Sequence, residues 1–222
     1  MPLLKWFFCA ALVVAARGTP ASAEDFKPLF DGKTLNGWSG DPDLWKVEKG
    51  PDGQGLIAGC TDEKPLTGHN SFLSFGTKEE PKIYKNFILK VKFRMRNGNS
   101  GIQVRSKQHD DYVVRGYQAD IAESRFTGIL YEEGGRGILA DVNQADVAKV
   151  LKPCKPDEPD VWNEYVITCD GPKIKQVLNG FTTVDYTEKS EKGAKEGIIA
   201  LQLHAGPKMK IWFKDIEIHE LP

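Results

Sequence analysis

The sequence predicts an all-β fold made of two packed antiparallel sheets, and two observations support this prediction. Residue pairs that favour tight turns recur from Phe26 onwards, at Asp31-Gly32, Asn36-Gly37, Asp52-Gly53, Asn97-Gly98, Asp170-Gly171 and Asn179-Gly180. The segments between these turns are short, and several of them alternate apolar with polar residues as half-buried strands do. No repeat, low-complexity tract or linker divides the chain, so one domain is expected.

The clearest strand lies at residues 87–95, where apolar residues alternate with lysine and arginine. Further strands are predicted at residues 100–106, 117–122, 164–170, 173–180, 196–205 and 209–221. One helix is predicted at residues 143–152, because Val147, Val150 and Leu151 share a helical face and a proline follows. Many strands with a single short helix are typical of a β-sandwich.

Residues 1–23 are predicted to be a secretory signal peptide, which leaves residues 24–222 as the mature domain. Lys5 gives the segment a positive start, an apolar run follows, and Ala21-Ser22-Ala23 supplies small residues for cleavage. The apolar run is shorter than the roughly 20 residues of a membrane-spanning helix. We therefore expect export to the periplasm or the extracellular space, with no membrane attachment after cleavage.

The mature chain would carry 28 basic against 31 acidic residues, a net charge of −3. This balance argues against nucleic acid as a partner, because nucleic-acid-binding domains cluster lysine and arginine on a basic surface. Three cysteines remain, Cys60, Cys154 and Cys169, so at least one thiol has no partner within the chain. A Cys60–Cys154 or a Cys154–Cys169 disulfide is possible, and the sequence does not choose between them. Cys169 is expected to be a small buried side chain. Their spacing matches no zinc site.

Residue parity predicts which side chains share a face of a sheet, because successive side chains of a strand point to opposite faces. On three predicted strands the non-core face carries polar or ionisable pairs: Gln103 and Arg105, Gln118 and Asp120, and Gln202 and His204. Amides both donate and accept hydrogen bonds, and charged groups fix direction, so this selection suits a carbohydrate.

Several segments, in the same order along nearly the whole mature chain, resemble the exported bacterial 3-keto-disaccharide hydrolase domain family. The similar segments are "FKPLFDGKTLNGW" (26–38), "YKNFILKVKFRM" (84–95), "NGNSGIQVRS" (97–106), "GYQADI" (116–121), "TGILYEE" (127–133), "WNEYVITCDGPKIKQVLNG" (162–180) and "GIIALQLHAGPKMKIWFKDIEI" (197–218). The resemblance implies an antiparallel two-sheet jelly-roll sandwich of the concanavalin A-like lectin/glucanase type. The closing motif carries Lys214-Asp215 where the family more usually has Arg-Asn, a departure expected at a strand edge.

The resemblance also implies cleavage of the glycosidic bond of 3-keto-disaccharides or 3-keto-glucosides. A ketone at C3 acidifies the proton on C2, so a base can remove that proton while the glycosidic oxygen leaves C1. Elimination followed by hydration, or net hydrolysis, would give the free sugars. The implied partner is a sugar 3-oxidoreductase that forms the ketone first, and no cofactor is expected.

Gln118 separates this chain from ordinary sandwich glucanases with the pattern Glu-x-Asp-x-x-Glu. Those enzymes use the first carboxylate as the nucleophile of a retaining mechanism. Here the pattern is Gln118-x-Asp120-x-x-Glu123. A neutral amide cannot form the glycosyl ester, so Gln118 is predicted to hold substrate.

The predicted catalytic residues are His204, Asp120, Arg105, Tyr131 and Glu132. His204 is the candidate base, because histidine titrates near neutral pH, while Asp120 orients it or is itself the base. Arg105 would stabilise the enolate charge, and Tyr131 or Glu132 would protonate the leaving oxygen. The predicted substrate-binding residues are Gln103, Gln118, Gln202, Asn99, Glu123 and Arg136.

Four alternatives stay open from the sequence. A divalent cation could be held by His204, Asp120 and Glu123, although these lack local ligand spacing. The domain could instead be a non-catalytic carbohydrate-binding module, a conventional glycoside hydrolase or a structural export protein. Turnover of 3-keto sugars, and not merely glycan binding, separates the leading interpretation from these.

Overall fold

The computed structural model describes residues 25–123, 125–158 and 160–222. These residues form two antiparallel sheets and one short helix, α1 (Gln144–Val150). The strands are β1 (Lys27–Pro28), β2 (Trp38–Ser39), β3 (Trp45–Lys49), β4 (Gly55–Cys60), β5 (Ser71–Phe75), β6 (Phe87–Arg96), β7 (Asn99–Gln108), β8 (Val114–Ala122), β9 (Leu130–Glu133), β10 (Gly137–Ala140), β11 (Asn163–Asp170), β12 (Lys173–Leu178), β13 (Phe181–Thr187), β14 (Ile198–Leu203) and β15 (Lys210–Glu220).

The chain passes repeatedly between the two sheets, as in a jelly roll. The eight-stranded sheet has the order β13-β12-β11-β6-β15-β4-β3, with β1 paired to β15. The seven-stranded sheet has the order β10-β9-β8-β7-β14-β5-β2. The predicted fold class, an antiparallel two-sheet sandwich, is confirmed.

The main core lies between the inner faces of the two sheets. Phe93 and Tyr165 stack from the eight-stranded sheet, with ring centroids 5.5 Å apart. Tyr117, Ile102 and Leu201 pack from the seven-stranded sheet and are fully buried. The aromatic and β-branched residues at alternate positions explain why these segments form strands.

The outer faces of the two sheets differ. On β6 of the eight-stranded sheet, buried residues alternate with partly exposed ones, as the sequence predicts. Strands β7, β8 and β14 of the seven-stranded sheet are instead buried at almost every position, on both faces. Part of this outer face is covered by a small apolar cluster of Phe72, Val114, Ile198 and Ala200. The polar side chains of this face therefore lie in a largely water-excluded layer.

Every strand that the sequence analysis placed is present, and so is the helix. Asn143 caps α1, since its side chain accepts a hydrogen bond from the backbone N–H of Ala145 at 2.9 Å,. The sequence analysis did not predict β1 to β5, β9, β10 or β13. Of these, β4 and β5 are buried on nearly every residue and show no alternation,.

The predicted signal peptide lies outside the described residues. Within the described residues, Cys60, Cys154 and Cys169 all carry free thiols, so neither of the bridges that the sequence left open is formed. Cys169 is buried, as predicted, and this burial raises the pKa of its thiol to about 12. No helix in the described part of the chain is long and apolar enough to cross a membrane.

Candidate functional site

A hollow of about 190 Å³ opens on the outer face of the seven-stranded sheet. Its walls come from β7, β8, β9, the connection between β8 and β9, and the residues next to β5 and β14. They consist of Asn70, Asn99, Gln118, Asp120, Phe126, Tyr131, Glu133 and His204. This volume is below the roughly 300–1,000 Å³ of pockets for drug-sized ligands. The hollow therefore suits one small ring rich in hydrogen-bonding groups.

The parity prediction is confirmed for the glutamines of three strands and for Asp120. Gln118 and Asp120 face outwards, whereas Tyr117, Ala119 and Ile121 between and beside them enter the core. Gln103 and Gln202 also lie on the outer face, since each of them hydrogen-bonds with Gln118. All four polar side chains are at most 4% exposed, so this part of the outer face is largely shielded from water.

A chain of hydrogen bonds joins these amides to a carboxylate. The Nε2 of Gln103 donates to Oε1 of Gln118 at 2.7 Å, and the Nε2 of Gln118 donates to Oε1 of Gln202 at 3.3 Å. Gln202 in turn donates through Nε2 to Oε2 of Glu133 at 3.0 Å, and Asn70 donates through Nδ2 to the other oxygen at 3.3 Å. Every link orients the next amide, so Gln118 and Gln202 are fixed in one rotamer.

These hydrogen bonds also show that the sheet curves towards the site. Glu133 lies on β9 and Gln202 on β14, and two strands separate them. Three strand spacings amount to roughly 14 Å in a flat sheet, too far for the two side chains to meet easily. Their 3.0 Å hydrogen bond therefore indicates a concave outer face.

Gly101 makes this chain of hydrogen bonds possible, because the Gln118 side chain passes over the Gly101 backbone. A Cβ at position 101 would lie 2.3 Å from Cδ of Gln118. Gly101 pairs with Asp120 across β7 and β8, so the missing side chain opens the floor of the site beside that carboxylate. A larger residue would push Gln118 away from Gln202.

Asp120 is the most perturbed carboxyl group of the site. It is 4% exposed, and the Nδ2 of Asn99 donates to its Oδ1 at 3.0 Å. Burial, with a smaller contribution from the nearby charge of Glu133, raises the pKa of Asp120 from 3.8 to about 7 against the opposing effect of hydrogen bonds from Asn99 and Gln118,. A carboxyl group that gains and loses a proton near neutral pH is suited to general base catalysis.

Glu133, and not the predicted Glu132, is the second acid of the hollow. Burial raises the pKa of Glu133, while hydrogen bonds from Gln202 and Asn70 oppose this shift. Glu132 points to the opposite face and binds Arg136 at 2.5 Å. Parity within the segment Tyr131-Glu132-Glu133 carried this information, because Tyr131 lines the hollow and Glu133 must share its face,.

His204 lies at the exposed rim of the hollow, directly after β14. Its Nδ1 lies 2.5 Å from the backbone carbonyl oxygen of Ala205. When Nδ1 carries a proton and donates to this carbonyl, Nε2 is left for a ligand. The structure therefore brings His204, Asp120 and Tyr131 together, as predicted.

Arg105 lies elsewhere, and the prediction that it shares a face with Gln103 was wrong. Its backbone has φ of 47°, and the pairing of β7 with β8 shifts register between Val104 and Lys107. This β-bulge breaks the two-residue alternation. The guanidinium, 2% exposed, donates instead to the backbone oxygens of Lys85 at 2.8 Å and Gly171 at 2.7 Å.

Two predicted substrate-binding residues also lie outside the hollow. Arg136 is held in ion pairs with Glu132 and with Glu188, the latter at 2.6 Å. The side chain of Glu123 accepts a hydrogen bond from the backbone N–H of Asn97 at 2.7 Å and so does not face Asp120. Among the described residues, no group of three or more His, Cys, Asp or Glu side chains is arranged to hold a metal ion.

Gln103 and Gln202 support the hollow without lining it. Asn70 and Phe126 line it, and the sequence analysis missed both. Neither lies in a predicted strand, so parity gave no signal for them. Their positions depend on how the loops fold over the sheet.

Comparison with known proteins relates this chain to a family. A family model described as "3-keto-alpha-glucoside-1,2-lyase-like domain" matches residues 25–219. A 3-keto-disaccharide hydrolase from Bacteroides thetaiotaomicron is 33% identical over 102 residues. That alignment covers 41% of this chain and 32% of the relative, so the chain spans only part of the relative's length.

Solved structures share the fold. A protein from Parabacteroides distasonis with a provisional glycosyl hydrolase name is 20% identical, with a TM-score of 0.59, and the alignment covers 90% of this chain and 95% of that one. The carbohydrate-binding module CBM66 of Bacillus subtilis is 12% identical, with a TM-score of 0.53 over 83% of this chain and 96% of that one. At these identities the similarity shows the fold alone, a sandwich of the predicted jelly-roll type.

Proposed function

The chain belongs to the 3-keto-alpha-glucoside-1,2-lyase-like domain family, and from this premise we propose that it is an exported enzyme that cleaves the glycosidic bond of 3-keto-glycosides. One observation carries the proposal: Asp120, buried in a small hollow rich in amides, has a pKa raised to about 7. A purely binding module has no need for a carboxyl group held at this pKa. A proton-transfer reaction needs a carboxyl group that gains and loses a proton near neutral pH.

The proposed reaction begins with transfer of the C2 proton to the carboxylate of Asp120. The C2–H bond breaks, its electrons move towards the C3 ketone, and an enolate forms. As the enolate collapses, a C1=C2 double bond forms and the C1–O bond to the leaving group breaks. Addition of water across that double bond would then give net hydrolysis. Because no covalent glycosyl intermediate is formed, Gln118 can replace the nucleophilic glutamate of retaining glycosidases.

The remaining roles follow from which groups face the hollow. Glu133 and Tyr131 face the same hollow as Asp120, so one of them would protonate the leaving oxygen. The enolate oxygen needs hydrogen-bond donors. Arg105 cannot supply them from its position, so this role passes to His204 and to the second amide N–H of Asn99. Gln118 and Asn70 would hold the sugar hydroxyls.

The substrate's chemistry implies a partner. A 3-keto sugar arises by oxidation of the 3-hydroxyl, so a sugar 3-oxidoreductase would have to act first. The predicted signal peptide would place this protein in the periplasm or outside the cell. These parts of the proposal come from the reaction and from the sequence.

The test is to incubate the purified protein with 3-keto-trehalose and with simple 3-keto-glucosides in D₂O, and to follow 3-keto-glucose by NMR. Elimination with hydration puts deuterium at C2, whereas direct hydrolysis retains the original hydrogen there. Free 3-keto-glucose incubated with Asp120→Asn measures background exchange. Unoxidised glycosides serve as controls and should not be cleaved.

We expect cleavage by the wild type and a loss of about 10²–10⁴ in kcat/KM for Asp120→Asn. Saturable glycan binding without turnover of any keto sugar would instead identify a binding module. Cleavage of the unoxidised glycosides at similar rates would identify a conventional glycosidase. Full activity in Asp120→Asn would remove Asp120 as the base while leaving the family assignment intact.

A further inference from the structure

A second hollow, of about 260 Å³, adjoins the site and shares three of its wall residues, Asn99, Phe126 and His204. We infer that this second hollow binds the aglycone, the group that leaves from C1, and that it selects an aglycone with an apolar ring. The inference rests on the proposed function. It adds the class of substrate that the site prefers.

The size of the first hollow requires a second binding region. At about 190 Å³ it suits the keto sugar, which must lie there because Asp120 does. The aglycone then extends out of the first hollow, and the wall that the two hollows share is the route that this inference assigns to it. The second hollow begins at this wall and continues along Gly98, Ala122, Ala205 and Pro207.

The composition of the second hollow favours an apolar group over a second sugar. Apart from the shared Asn99 and His204, its walls are glycine, alanine, proline and phenylalanine. The amide of Asn99 already donates to Asp120 at 3.0 Å. Hydroxyl groups of a second sugar would find few protein partners here, and they would gain little over their contacts with water. A ring without hydroxyl groups needs no such partners.

Phe126 supplies the surface on which such a ring would pack. Its side chain is 38% exposed, one of four large hydrophobic residues with this degree of exposure among those described. It lies in the connection between β8 and β9, where its carbonyl oxygen accepts a hydrogen bond from the N–H of Ile129 at 3.3 Å. The Arg125 guanidinium lies 5.3 Å from the ring centroid and helps to hold it,. An aromatic side chain at the boundary of two hollows can contact the ligand in both.

The test compares three 3-keto-glucosides: ethyl, 2-phenylethyl and a 3-keto-disaccharide. The ethyl and 2-phenylethyl compounds both release a primary alkoxide, so their leaving abilities are similar. The ratio of their kcat/KM values therefore measures how the phenyl ring packs in the second hollow. We expect the wild type to show a higher kcat/KM for the 2-phenylethyl than for the ethyl compound, and a lower KM for the 2-phenylethyl compound than for the disaccharide. In Phe126→Ala the preference for the 2-phenylethyl over the ethyl compound should fall about tenfold, and in Phe126→Trp it should be retained. Ile83→Ala, which removes an exposed side chain away from both hollows, is the matched control and should keep the wild-type ratio.

A wild type with a lower KM for the disaccharide than for the 2-phenylethyl compound, or an ethyl to 2-phenylethyl ratio that Phe126→Ala leaves unchanged, would overturn the inference. If the wild type cleaves none of the three compounds, the proposed function fails, and calorimetric binding of the same compounds then decides the inference separately. Tighter binding of the 2-phenylethyl than of the ethyl compound, lost in Phe126→Ala, would support the subsite. Equal binding would refute it.

Discussion

Replacing Asp120 by asparagine should make the protein more stable at neutral and alkaline pH although it lowers activity. In the folded state Asp120 keeps its proton up to about pH 7, whereas in the unfolded chain it releases it near 3.8. The folded state therefore binds more protons than the unfolded state between these values, and wild-type stability falls as the pH rises through this window. An asparagine of the same shape carries no charge and avoids this loss.

The magnitude follows from the two pKa values. A difference of about 3 between them corresponds to about 4 kcal/mol at pH 8, and to about 2 kcal/mol at pH 5, where only the unfolded state is ionised. Loss of the hydrogen bond that Asp120 accepts from Gln118 would offset about 1 kcal/mol of this. We therefore expect Asp120→Asn to raise the free energy of unfolding by about 3 kcal/mol at pH 8 and by about 1 kcal/mol at pH 5.

Urea denaturation at both pH values measures this difference. Asp185→Asn, which changes an exposed aspartate on β13, is the control and should stay within about 0.5 kcal/mol of the wild type at either pH,. A variant no more stable than the wild type at pH 8 would refute the reasoning. So would a stability gain that does not change between pH 5 and pH 8, because ionisation would then not be its cause.

Three further predictions concern the same site. The kcat/KM for a 3-keto-glucoside should rise with pH, with a midpoint near 7, because the base must lose its proton,; a pH-independent rate between pH 5 and pH 8 would exclude Asp120 as the base. Glu133→Gln should lower kcat by about 10²–10⁴. Glu132→Gln, which alters the neighbouring residue outside the hollow, should retain most of the activity. A larger loss in Glu132→Gln than in Glu133→Gln would restore the sequence-based assignment of Glu132. Gly101→Ala should destabilise the protein by about 1–3 kcal/mol, because the added Cβ would clash with Gln118,. In thermal denaturation, adding Gln118→Ala should recover part of that loss of stability. Additive losses in the double variant would show that the two residues do not interact.

The amide at position 118 is explained by its neighbours. As an amide, Gln118 accepts from Gln103 and donates to Gln202. A glutamate at this position would lose the donated bond and add a charge beside Asp120, which is already hard to ionise. The glutamine therefore preserves both the hydrogen-bond chain and the near-neutral pKa of Asp120.

The sequence by itself determined the sandwich and most of the residues on the polar face. Turn pairs and two-residue alternation are local properties, so strands such as β6 and β8 could be recognised without knowledge of their partners,. Parity then placed Gln118 and Asp120 together, because alternation holds along any regular strand. The same argument, applied to Tyr131, would have selected Glu133 over Glu132.

Only the tertiary structure decided the rest. Arg105 lies outside the site because a bulge in β7 breaks the two-residue alternation. Bulges depend on strand pairing, which no single segment specifies. The raised pKa of Asp120 required the curved sheet and its covering segments to exclude water. Asn70 and Phe126 joined the hollow from flanking segments far apart in the chain. These features arise from contacts between distant residues, and a local pattern does not contain that information.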